Sequence, residues 1–259
     1  MRNEHVSWYR ERRMHDAESG PISHQVPRAS RVALKGLGLA AIVALVAVTS
    51  YLAFRSELAG ERSFWLLAGG PVVVLAPIAL WKARRDGEIG AWMRPKAGDF
   101  TLGFLSAALL FAGAYAFSRF VTPNGSPRAI WMARLYLQLG DPNALRAHPM
   151  GLFAGLIAVA SAEEIVWRGL VTSLLADFVG SSRAWVGSAL LYAVAYVPAM
   201  WALAAPSGPN PLLPLAALGA GFVWAGMARR FDRLTPGIIS HALFDWCVVV
   251  MFRLWGESL

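Results

Sequence analysis

Long apolar runs alternate along the chain with short polar segments that are mostly basic. A helix rises about 1.5 Å per residue, so about 20 predominantly apolar residues cross the roughly 30 Å core of a bilayer. Seven segments meet or approach that length: 37–54, 64–81, 100–121, 150–177, 184–205, 211–228 and 235–252. The pattern predicts an all-α fold, a polytopic transmembrane helical bundle of about seven spans plus short interfacial helices. It forms one membrane domain, 37–259, preceded by a polar, basic arm over 1–36. The second span carries Gly69-Gly70-Pro71 and Pro77, which lipid tolerates only where neighbouring helices satisfy the freed carbonyls, so a kink is expected there. Residues 128–139 (RAIWMARLYLQL) are short and mixed, flanked by Pro127 and Gly140, and read as an interfacial helix held by Trp131 and Tyr136.

Composition agrees with that reading. Of 259 residues, 56% are hydrophobic and only 15% charged, against about 25% charged in soluble domains. One cysteine, Cys247, excludes a disulfide scaffold. The net charge of +8 lies in clusters between apolar runs and forms no basic face on a folded domain, so no nucleic-acid partner is expected. The clusters also orient the chain. Arg2, Arg10, Arg12, Arg13, Arg28, Arg31 and Lys35 precede the first span; Lys82, Arg84, Arg85, Arg94 and Lys96 follow the second; Arg229, Arg230 and Arg233 follow the sixth. The opposite loops are poorer: Glu57 and Glu61 offset Arg55 and Arg62, and 207–210 carries no charge, although Arg128, Arg134 and Arg146 weaken the contrast after the third span. Alternate loops are therefore basic, which places the N-terminus in the cytoplasm and the protein, multi-pass, in the inner (cytoplasmic) membrane. The arm, with His5, His15 and His24, is too long for a secretory n-region, so the first span is expected to be an uncleaved anchor.

Few ionisable residues fall inside the spans. A charge near the bilayer centre costs at least about 2.5–3.5 kcal/mol on insertion scales, which makes each one a functional candidate. Glu163, Glu164 and Arg168 lie in the fourth span, His241 and Asp245 in the seventh, while Arg119 and Asp177 lie at span ends where they can snorkel. Glu164 and Arg168, at i and i+4, share a face and can pair, leaving Glu163 about 100° around the helix without a local partner. His241 and Asp245 share another such face. Together they supply a carboxylate base and groups able to hold a developing oxyanion. By helical rise, Glu163 lies about 16 Å from the cytoplasmic end of its span and Asp245 about 15 Å from that of its own, so the two are expected to meet in a cavity opening to the cytoplasm.

With Glu-Glu-x-x-x-Arg at 163–168 and His-x-x-x-Asp at 241–245, the chain resembles the CAAX-protease and bacteriocin-processing family of intramembrane glutamic endopeptidases. The resemblance covers about 150–252, the last four spans. It implies that Glu163 activates water, that Glu164 and Arg168 are its motif companions, and that His241 and Asp245 stabilise the oxyanion. Between these motifs the family has Phe-x-x-x-His; here Tyr192 stands for the aromatic and Tyr196 for the histidine. Tyrosine hydrogen-bonds readily but is a poor base at neutral pH.

The candidate catalytic set is thus Glu163, Glu164, Arg168, Tyr196, His241 and Asp245. No His-Glu-x-x-His signature is present, so no metal and no cofactor are expected. Cys247 is about 240° around its helix from His241 and reads as a packing residue. The function expected is hydrolysis of a peptide bond in a membrane-anchored or membrane-proximal protein, with the lipid bilayer as surroundings. Two alternatives stay open: a catalytically impaired relative acting as a membrane binding, immunity or assembly factor, because of Tyr196, and a small proton-coupled transporter, which the lack of paired broken helices disfavours.

Overall fold

In a computed structural model the described residues are 28–254, so residues 1–27 of the arm, with His5, His15 and His24, lie outside them, while its last residues, 28–36, are helical. The chain divides into two units, Met1–Lys35 and Gly36–Leu259, and the architecture below is that of the second. Among the described residues there is no strand, and seven helices are long and apolar enough to cross a membrane. These are α1 (Arg28–Ala53), α2 (Arg62–Arg85), α3 (Asp99–Phe120), α4 (Pro149–Val179), α5 (Ala184–Ala202), α6 (Leu212–Phe231) and α7 (Thr235–Leu254). The protein is a multi-pass integral membrane protein. Each expected span lies within or within a few residues of one of these helices, and α2 runs as helix through both Pro71 and Pro77.

The distribution of side chains is inverted relative to a soluble globule. Leu66, Val74, Phe100, Leu109 and Phe120 stand exposed, while Glu163, Glu164, Arg168 and His241 are buried. Such a continuous apolar exterior has a partner in lipid and none in water. With no water at the bilayer centre, every backbone N–H and C=O must be satisfied within the segment, which is why these runs are helices.

Successive helices run antiparallel, giving the bundle two ends. One carries the basic loops: the connection between α2 and α3, with its short helix Ile89–Met93, and the tight turn at 232–234 between α6 and α7. Asp99 takes a hydrogen bond at 2.9 Å from Arg233 Nε there, and Leu234 N–H donates to the Trp92 carbonyl. The other end carries 54–61, the long 121–148 connection and 203–211. Its pieces are tied together by Gly60 N–H to the Gln138 carbonyl, Asn210 Nδ2 to the Trp131 carbonyl, and Arg146 and Arg253 to the carbonyls of Leu254 and Gly140.

The helix expected over 128–139 is present as Ala129–Leu137, but Tyr136 is no interfacial anchor. Its ring is buried, stacked on Phe252 with centroids 5.7 Å apart, because this helix folds back onto the bundle instead of lying free at the headgroups.

Helices α3 and α7 approach closely where Gly103 faces the start of α7. A Cβ at Gly103 would lie 2.6 Å from Ile239 Cγ2 and 3.1 Å from the Pro236 carbonyl oxygen. Since α7 carries part of the buried polar cluster, this contact helps to set its depth. Gly103→Leu should push the two helices apart and destabilise the protein by about 1–3 kcal/mol, the usual range for overpacking. A lowered melting temperature in detergent would show it; an unchanged one would mean the contact is slack.

Candidate active site

The buried polar cluster is assembled by α4, α5, α6 and α7. Glu163 and Glu164 end the α-helical part of α4, and the next seven residues, Ile165–Val171, form a π-helical stretch before α-helix resumes at Thr172. Single π turns within helices recur at functional sites because they re-aim side chains. Here the wider turn falls between the glutamate pair and the packed end of the span. Arg168 lies within it and still reaches Glu164, with Nη1 3.3 Å from Oε1 and both side chains fully buried. The guanidinium also donates to the Gly221 carbonyl at 3.3 Å and lies over the Tyr192 ring, 4.5 Å from its centroid.

Each oxygen of Glu163 accepts a tyrosine hydroxyl. Tyr196 donates to Oε1 and Tyr192 to Oε2, both at 2.6 Å. The two tyrosines are four residues apart on α5 and therefore project from one face. His241 on α7 bridges the pair of carboxylates: Nδ1 is 3.0 Å from Glu164 Oε1 and Nε2 is 3.6 Å from Glu163 Oε2. Asp245, one turn on, stands 3.5 Å from the same Nε2 and is the most exposed of the group. The imidazole is held flat against Trp224 of α6, with centroids 3.6 Å apart and planes 18° apart. Trp224 is fixed in turn by its Nε1 donating to Ser240 Oγ, which donates to Ser106 Oγ.

The α7 backbone comes close enough to Glu164 that a Cβ at Gly237 would lie 3.1 Å from Oε2. Any larger residue would compete with the carboxylate for that space. The tight turn at 232–234, with Asp232 in the left-handed region (φ 56°) capping α6, returns the chain so that Trp224 and His241 face each other.

All six candidates meet in this cluster. Glu163, Tyr196, His241 and Asp245 line a cavity of about 230 Å³, whereas Glu164 and Arg168 lie behind, facing His241 and the packed core. Tyr192 and Trp224, which touch the candidates directly, belong to the cluster without being among them. Tyr192 occupies the motif's aromatic position, and its i, i+4 spacing from Tyr196 is the signal that it shares the site. Trp224 had a weaker one: a buried indole N–H needs an acceptor.

The cavity also lies on the unexpected side. Its other walls are Val46, Ser50 and Phe54 at the end of α1, Phe64 and Trp65 at the start of α2, Gly155 to Val159 early in α4, and Leu213 to Ala220 early in α6. All of these lie between the cluster and the end carrying 54–61, 121–148 and 203–211, away from the basic loops. The other side of Glu163 is filled by Val166, Trp167, Val171, Val72 and Ala79, none more than 1% exposed. Helical rise gives a distance along a helix but not which side of Glu163 is packed.

No curated protein and no solved structure matches the chain. Residues 145–247, which hold every member of the cluster described above except Ser106, match a family model, that of the Rce1-like type II CAAX prenyl endopeptidases, and so the family that the two motifs resemble is the one this region matches.

Proposed function

We propose that the protein is an intramembrane endopeptidase that cleaves a membrane-anchored protein or peptide, using water activated by Glu163 and no metal. The observation that carries the reading is a buried carboxylate on the cavity wall, held by two hydroxyls and 3.6 Å from a histidine that a second carboxylate orients. The match to a CAAX endopeptidase family model supports a protease. The same reading puts the protein in the inner (cytoplasmic) membrane with its N-terminus in the cytoplasm, on the alternation of basic loops.

In this mechanism a water in the cavity gives its proton to Glu163 and attacks the scissile carbonyl carbon. The carbonyl oxygen becomes an oxyanion, and collapse of the tetrahedral intermediate passes the proton from Glu163 to the departing amine. Tyr196 need not act as a base. While Glu163 is ionised, its oxygen is the stronger acceptor and holds the Tyr196 hydroxyl. Once Glu163 carries the proton it accepts weakly, and the hydroxyl is free to donate to the oxyanion as charge develops there. Glu164 and Arg168 are positioning residues: Glu164 accepts Nδ1–H of His241 and so fixes which nitrogen faces the cavity. Asp245, beside Nε2, stabilises that ring when it is charged.

A second reading is a binding or assembly factor on the same scaffold. It is favoured by the tyrosines themselves, since both Glu163 oxygens already hold a hydroxyl.

Three experiments test the mechanism, and the first also separates the two readings. Glu163→Gln should abolish Glu163-dependent fragments in membranes, a loss of at least about 10²–10⁴-fold for removal of a general base, with the melting temperature little changed. Biological activity retained in Glu163→Gln, with no cleavage product in the wild type, would establish the binding factor instead. Tyr196→Phe should slow cleavage by roughly 10–100-fold, the scale of a lost hydrogen bond to a charged group; an unchanged rate would remove Tyr196 from the mechanism. Chelators such as EDTA should leave the rate unchanged, and sensitivity rescued by a divalent cation would overturn the metal-free step.

A further inference from the structure

The two ring nitrogens of His241 are placed differently. Nδ1 stands in hydrogen-bond range of Glu164 Oε1, at 3.0 Å. Nε2 faces two other carboxylates, Glu163 Oε2 at 3.6 Å and Asp245 Oδ2 at 3.5 Å. Both distances exceed the roughly 2.7–3.2 Å of a good N–H···O bond. A small rotation of the ring would close one of them and occupy Nε2, yet the ring rests between the two acids. What holds it there is the indole of Trp224. The planes lie within 18° of parallel and the centroids are 3.6 Å apart, closer than the about 4.5–7 Å of ordinary aromatic pairs. One face of the imidazole is therefore covered. The indole is confined in turn: it is 2% exposed, Phe244 meets it edge-on at 6.1 Å, and the Arg168 guanidinium lies 5.4 Å from its centroid. Its one polar atom, Nε1, donates to Ser240 Oγ at 3.1 Å, and Ser240 Oγ donates to Ser106 Oγ of α3 at 3.0 Å. Ser240 is fully buried, so bulk water does not stand in for a lost partner.

We propose that Trp224 is a positioning residue that keeps Nε2 of His241 off both carboxylates and available to the scissile carbonyl oxygen. Ser240 and Ser106 hold the indole in that place. The setting of the histidine thus depends on α3, a helix outside the matched residues 145–247. The role rests on the proposed hydrolysis, in which charge develops on that oxygen. A donor already free and aimed stabilises the charge without reorganising, whereas an Nε2 bonded to Glu163 or Asp245 must first give up its partner. A bonded Nε2 would also occupy the carboxylate that takes the proton from water. An aliphatic side chain in place of Trp224 fills volume but presents a rounded surface over which the imidazole can tilt. A flat aromatic face is the feature that blocks the tilt, and the hydroxyl chain is what keeps that face in register with the ring.

The test uses the full-length protein, labelled with ring-nitrogen-15 histidine and held in detergent micelles. The His241 signals are identified by their loss in His241→Gln. Wild type should show one set of His241 ring signals. Trp224→Leu should split or shift that set, whereas Trp224→Phe, which keeps a flat face, should retain it. Ser106→Ala, which removes the end of the hydroxyl chain, should shift it less than Trp224→Leu does. Rates are read in membranes, as the appearance of Glu163-dependent N-termini among membrane proteins over time. Trp224→Leu should slow them by about 10²-fold, the scale of one lost oxyanion donor. Trp224→Phe should keep most of the rate, and Ser106→Ala should lose roughly 2–10-fold, the scale of one neutral hydrogen bond. Ring signals unchanged in Trp224→Leu would overturn the positioning role, and so would a Trp224→Phe as damaged as Trp224→Leu. Unchanged ring signals in Ser106→Ala would overturn the link to α3. If Trp224→Leu does not accumulate, Trp224→Met, also without a flat face, replaces it. With no Glu163-dependent termini in the wild type, the proposed hydrolysis fails, while the ring signals still decide whether Trp224 and Ser106 set the histidine.

Discussion

Two adjacent carboxylates buried in the middle of a membrane protein set the terms for everything around them. An ionised carboxylate in a low-dielectric interior is tolerated only when paired and hydrogen-bonded. Glu164 is met by Arg168 and by His241 Nδ1; Glu163 is met by two tyrosine hydroxyls, with His241 Nε2 close by. Apart from Arg168, on the same helix, these partners come from α5 and α7. Satisfying the acids therefore fixes how α4, α5 and α7 lie against one another. The polar cluster acts as a registration device for the bundle, whatever chemistry it performs.

The arrangement divides labour between the two acids. Glu164 and Arg168 face protein on every side and have no contact with the cavity, so their effect reaches the cavity through His241. Glu163 faces both ways, anchored by α5 and open to the chamber. A carboxylate so held loses little conformational freedom when it accepts a proton, the condition under which pre-organised groups act most strongly.

Much of the fold was legible because lipid imposes a simple rule on sequence. Apolar length marked all seven helices, six of them to within a few residues and the first from a start that α1 precedes by nine, and the rarity of charge within them singled out Glu163, Glu164, Arg168, His241 and Asp245. What stayed hidden depends on packing between helices. Trp224 reads as an ordinary apolar-face aromatic, and Tyr192 is marked by its motif position alone, since an indole or a phenol is as much at home in a membrane core as in a site. The π-helical stretch at 165–171 leaves no mark on periodicity over so short a run. Tyr136 looked like a headgroup anchor because amphipathic aromatics favour that depth; its burial against Phe252 follows from a fold-back that local pattern does not encode. The direction in which the chamber opens is likewise a property of how side chains fill space on one side of Glu163.

Trp224 and His241 belong to two helices joined by only three residues, 232–234. They form the arms of one hairpin, and the flat contact between indole and imidazole is where the arms touch. Held flat by the indole, the ring cannot turn over without displacing its neighbouring arm. A displacement of either arm near Asp232 therefore bears on the imidazole from more than two helical turns away. Orientation of the histidine is inherited from a surface turn.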